Sequence, residues 1–158
     1  MTTPTNELIK KHFNYLVNDY GFSIDREEYS AEQMGNGYIV YMSRAVAIMI
    51  VVDRSQVLLN LGEPSWPERE WFDFTDVVSY FNSSIKEIYN FSESQIDHQA
   101  YVEKQAQHLA HILRMNCEPL LRGNFSMQNQ IREIEQKRVM EMLESFQELS
   151  DNNRSTKY

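Results

Sequence analysis

Residues 38–61 read YIVYMSRAVAIMIVVDRSQVLLNL, three apolar runs parted by Ser43-Arg44 and by Asp53-Arg54-Ser55-Gln56. No other segment is as apolar or as rich in β-branched side chains, which fit the pleated surface of a sheet better than a helix. The stretch predicts the centre of an antiparallel sheet, with strands over 38–42, 46–52 and 57–61. Asp53-Arg54-Ser55-Gln56 supplies the hairpin turn between the last two. In the middle strand both faces are apolar, with Val46, Ile48, Ile50 and Val52 on one and Ala47, Met49 and Val51 on the other. Such a strand is covered on both sides, or has one face left for a partner. A first strand starting at Phe22 joins this unit through a Gly35-Asn36-Gly37 turn, for about four strands in all.

The flanking segments carry a helical period instead. Thr3-Pro4 reads as a helix start, with Thr3 as cap and Pro4 at the first helical position. Ile9, Phe13, Leu16, Val17 and Tyr20 then form one stripe, and Gly21 is the stop. After a loop with two prolines and two tryptophans, residues 72–91 show a second stripe, broken near Asn82-Ser83-Ser84. Ser92-Glu93-Ser94-Gln95 is a loop and fresh cap. A long amphipathic helix over 95–115 buries Val102, Ala106, Leu109 and Leu113, flanked by Ala110 and Ile112, and Pro119 ends or kinks it. Ser126 caps a last helix over 127–149 that turns Ile131, Ile134, Met142, Leu143, Phe146 and Leu149 toward the core. The fold class expected is α+β: one helix, the sheet, then a helical C-terminal half. Residues 1–149 are expected to form a single domain, a sheet module over 1–62 and a helical part over 72–149, with 150–158 as a frayed tail.

Charge and composition narrow the function classes. Among 158 residues, 15 Lys and Arg face 23 Asp and Glu, for a net charge of −8. Nucleic-acid binding draws on basic side chains to neutralise phosphates, and here Lys10-Lys11 and Lys137-Arg138 are isolated pairs, so no nucleic-acid partner is expected. An acidic surface suits a basic protein partner instead. The longest apolar run, 45–52, is far too short for a membrane span, and the first residues carry no signal-peptide pattern. A single cysteine, Cys117, makes no internal disulfide, which fits a reducing compartment. The expected location is cytoplasmic.

Three constellations bear on chemistry. His108 and His111, three apart, share a helix face and offer two imidazoles to one metal, with Cys117 or Glu118 as the nearest further ligands. No His-Glu-x-x-His or Cys-x-x-Cys pattern accompanies them, and no metal or cofactor is expected. Cys117 with a histidine is a nucleophile–base pair in outline, but Met115-Asn116-Cys117-Glu118-Pro119 has no glycine-rich turn to supply an oxyanion site. Gly35-Asn36-Gly37 lacks the lysine and helix of a phosphate loop. The reading leans away from an enzyme. The loop over 63–71 carries Trp66 and Trp71, the only tryptophans, among Glu63, Glu68 and Glu70. Aromatic anchors ringed by polar groups characterise protein interfaces, so these five residues are the expected partner-binding set.

A first helix ending Tyr20-Gly21-Phe22 precedes Tyr41-Met42-Ser43, an apolar strand closing in Asp53-Arg54, and a strand ending in Gly62. With the later Leu120-Leu121-Arg122-Gly123-Asn124-Phe125, this series resembles small bacterial α+β proteins that include predicted immunity proteins of polymorphic toxin systems. The resemblance spans residues 7–126 and leaves the last helix outside. It implies a non-catalytic protein that neutralises a cognate toxin or effector. Two alternatives stand beside it: a small metal-dependent or cysteine enzyme using His108, His111 and Cys117, and a homodimeric adaptor joined through the last helix.

Overall fold

A computed structural model of the chain describes residues 4–33, 35–89 and 97–155. Its frame is helix α1 (Thr5–Tyr20) followed by strands β1 (Ser23–Ser30), β2 (Asn36–Met42), β3 (Ala47–Asp53) and β4 (Gln56–Gly62). A two-residue strand, β5 (Phe72–Asp73), then leads into helices α2 (Phe74–Phe81), α3 (His98–Asn116), α4 (Glu118–Leu121) and α5 (Gln128–Ser155). The architecture is α+β, as the sequence predicts, with five strands where about four are expected. The strands form an antiparallel meander in the order β1-β2-β3-β4-β5. The added strand pairs Asp73 with Asn60 and Phe72 with Leu61. Two residues are too few to show alternation in a sequence, so their pairing is set by the burial of Phe72.

Local chemistry explains the joints. Gly21 takes φ 73°, the left-handed conformation that glycine adopts without a Cβ clash, and the Phe22 amide closes onto the Leu16 carbonyl at 3.0 Å. Pro4 is extended and precedes the helix rather than occupying its first turn, so the helix starts one residue later than expected. Thr3, its expected cap, lies outside the described residues. Arg54 and Ser55 both have positive φ, as a two-residue hairpin turn matched to strand twist requires. Asp73 caps α2 by accepting from the Thr75 amide at 2.8 Å, and Asp97 caps α3 by accepting from Ala100 at 2.8 Å. The expected loop and cap at 92–95 lie outside the described residues.

The register divides the sheet into two faces. Ile39, Ile50 and Leu59 stand in one inner row, Tyr41, Ile48 and Leu61 in another. All six are buried in one core with Ile9, Phe13 and Leu16 of α1, Val77 of α2 and Val102, Leu109 and Leu113 of α3. Two polar side chains sunk in this core, Tyr15 and Gln105, are paired. Tyr15 donates to the Ala110 carbonyl at 2.8 Å, binding α1 to α3. Gln105 accepts from the Val57 amide at 3.1 Å and donates to the Ser55 carbonyl at 2.6 Å, which closes the β3–β4 end of the sheet. Among the described residues no helix is long and apolar enough to cross a membrane.

Helix α5 departs from expectation. Ile131 is buried and Ile134 half-buried, but Met142, Leu143, Phe146 and Leu149, expected on the core, are exposed. From Met140 to Ser155 every side chain is exposed. The helix also continues to Ser155, through most of the segment expected to fray. Its first three turns are fastened by Arg138, which makes a bidentate pair with the fully buried Asp76 of α2 at 2.7 and 2.9 Å. Beyond that pair the helix leaves the body.

Candidate functional site: the outer face of the sheet

Among the described residues, no helix contributes to the small cluster on the outer face of the sheet. Side chains that alternate with the inner rows give three outer rows: Tyr38, Val51 and Leu58; Val40, Met49 and Asn60; Met42, Ala47 and Gly62. In these rows the only buried hydrophobic side chains are Val40 and Ala47, grouped with Trp71 in a small second cluster that Tyr38, Met42, Met49 and Trp66 border. Tyr38, Met49, Val51 and Leu58 are half-buried, an apolar strip lying open across three strands. Antiparallel sheets often leave one face to water, but that face is then polar. Here it is not.

Charge frames the strip. Arg26, Tyr38, Met49 and Glu68 line one depression, and Glu28, Ser30, Tyr38, Val51 and Asp53 are among those lining a second. Tyr38 stands in both. Arg26 pairs with Asp25 at 3.3 Å and with Glu68, so the Trp loop is tied to the middle of β1. Glu28, Asp53 and Glu68 leave the rim acidic.

Of the five residues expected to bind a partner, Glu68 reaches this rim. Glu70 is exposed and its carbonyl accepts from Arg132 of α5, while Glu63 is half-buried. The two tryptophans are packed. Trp71 is 7% exposed, covers Val40 and Ala47, and donates from Nε1 to the Trp66 carbonyl at 3.2 Å. Trp66 lies half-buried between Phe72 and Phe125, each ring centroid 5.4 Å away, with the Arg132 guanidinium 5.3 Å from its centroid. Both indoles rest on Gly62, where a Cβ would come within 2.6 Å of Trp71 and 2.9 Å of Trp66. The indoles therefore close one end of the outer face, and its open part belongs to Tyr38, Met49, Val51 and Leu58. The doubly apolar middle strand was the signal for them.

The histidine and cysteine candidates stand apart. His108 and His111 are exposed on α3 with Lys104 and Gln107, along a shallow groove of about 370 Å³. Partial burial and the neighbouring His111 hold the His108 pKa below its usual value. Cys117 is in the core instead, and burial pushes its thiol up to about 12, so the reactive thiolate is scarce at neutral pH. Among the described residues no three His, Cys, Asp or Glu side chains are grouped to hold a metal ion. His98 lies elsewhere, its Nδ1 2.6 Å from the Ser55 hydroxyl.

Compared with protein-family models, curated proteins and solved structures, the chain matches none.

Proposed function

We propose that this chain is a non-catalytic binding protein that receives a basic protein partner on the outer face of its sheet, and that it acts as an immunity protein neutralising a bacterial toxin or effector. The observation that carries the binding role is the open apolar strip of Tyr38, Met49, Val51 and Leu58, bordered by Glu28, Asp53 and Glu68. An aromatic and aliphatic centre with a polar rim is the composition of a protein interface, and the net charge of −8 supports a basic occupant. The strands that carry the strip are held from behind by the core, so little ordering is needed on binding. The toxin-neutralising role rests further on the resemblance of residues 7–126 to predicted immunity proteins.

The test is co-expression with the proteins encoded beside the gene. The expected result is rescue of growth from one of them, and a complex that co-purifies. Tyr38→Asp with Leu58→Asp places two charges on the open face and should abolish both rescue and complex, with the melting temperature within a few degrees of the parent. Rescue that survives this double substitution would remove the outer face from the proposal.

A further inference from the structure

The projecting half of α5 is a second surface, independent of the sheet. Past the half-buried Val139, residues 140–155 form about 24 Å of helix that leaves the body with every side chain exposed. A helix of this length is marginal in water by itself, and its stability ordinarily comes from packing an apolar face. That face exists. Leu143, Phe146 and Leu149 are 57%, 64% and 60% exposed, and Val139, Met142, Phe146 and Leu149 follow the three-then-four spacing of a coiled-coil seam.

We propose that residues 139–155 pair with the same segment of a second copy of this chain as an antiparallel two-helix coiled coil. Charge placement selects the second copy. The positions flanking the seam from 143 onward are Leu143, Ser145, Ser150 and Asn152, all uncharged, while Glu141, Glu144, Glu148 and Asp151 lie away from it. A charged partner helix would find no complementary flank, and an identical helix meets no like-charge repulsion there. The area also suffices: Val139, Met142, Leu143, Phe146 and Leu149 of each copy, with their flanks, remove on the order of 1,000 Å² from water, the threshold of a specific interface. Antiparallel order follows from net charge, since it sends two acidic bodies to opposite ends of the rod, where a parallel pair would hold them side by side. In the antiparallel register Val139 packs against Leu149 of the second copy and Met142 against Phe146, with Ser145 beside the two-fold axis facing its own counterpart.

Sedimentation or light scattering of the full chain, from about 5 to about 200 µM, should show a species of twice 18.7 kDa that dissociates on dilution. Phe146→Asp should return the mass to 18.7 kDa without changing the unfolding transition of the body, because Phe146 is exposed in the single chain. Ser145→Cys should give a disulfide-linked dimer under mild oxidation, and buried Cys117 should not compete. A mass of 18.7 kDa at every concentration would overturn the proposal, as would a dimer indifferent to Phe146→Asp. Cross-linking through Phe146→Cys but not through Ser145→Cys would overturn the antiparallel order.

Discussion

Trp66, Trp71 and Gly62 form one packing unit, and its energetics are those of a core. Trp66 touches two aromatic rings and carries a guanidinium against its own, so truncating it opens a cavity between β5 and the chain near Phe125. Trp66→Ala is expected to lower stability by about 3 kcal/mol in urea unfolding. Unchanged stability with weakened partner binding would return Trp66 to the role of binding anchor that the sequence suggests. Gly62→Ala should cost about 1–3 kcal/mol, since the methyl must displace both indoles. The Asp76–Arg138 pair is the other residue-scale contact with large consequences. Asp76 is fully buried, so Arg138→Met leaves a carboxylate without its cation. Arg138 is itself partly exposed and water reaches its side of the pair, which places the expected loss near the lower end of about 3–5 kcal/mol. Adding Asp76→Leu should recover most of it, because replacing both partners with apolar groups removes the orphaned charge. Denaturation of the two single variants and the double variant measures the coupling.

Between elements, α1 and α3 are joined by a polar clasp as well as by the core. Glu103 of α3 receives Lys11 at 2.7 Å and His12 at 3.2 Å from α1. The hydrogen bond from Lys11, then that from His12, holds the Glu103 carboxyl below its usual value. A depressed carboxylate contributes stability above its unfolded-state pKa, roughly 4.3, and loses that contribution as pH falls through its folded-state value. Glu103→Gln should therefore melt below the parent at neutral pH, the two converging in acid. A gap that stays constant across that acid window would rule the clasp out as its source. Element identity was legible where a period ran for three turns or a strand length: the α3 stripe of Val102, Ala106, Leu109 and Leu113 is buried throughout. It was illegible for β5, where two residues carry no period, and misleading for α5. An amphipathic stripe states that a helix has a face to bury, not that its own chain supplies the other surface. Phe146 and Leu149 satisfy the pattern for a core helix and a coiled coil alike. The open face was half legible, since the apolar residues on both sides of β3 allowed either a second layer or a vacant face, and only the positions of the helices decided between them.

For the whole molecule, charge and apolar surface do different work. Acids are spread over the chain, whereas the open apolar strip is confined to one face, so they should act on different steps of association. Long-range attraction from a net charge of −8 raises the rate of encounter with a basic partner and is screened by salt within about 10 Å at 0.1 M. The strip of Tyr38, Met49, Val51 and Leu58 has no reach beyond contact and should govern how long a complex lasts. Once a partner is captured, stopped-flow association between about 20 and about 500 mM salt should show the on-rate falling by at least about tenfold, with the off-rate changing little. Neutralising the rim with Glu28→Gln, Asp53→Asn and Glu68→Gln should flatten that salt dependence. Tyr38→Ala should instead leave the on-rate within about twofold and speed dissociation by about 30-fold, the equivalent of about 2 kcal/mol at an interface centre. An on-rate indifferent to salt would show that acidity plays no part in partner selection, and a Tyr38→Ala complex that dissociates at the parental rate would place the partner on some other surface.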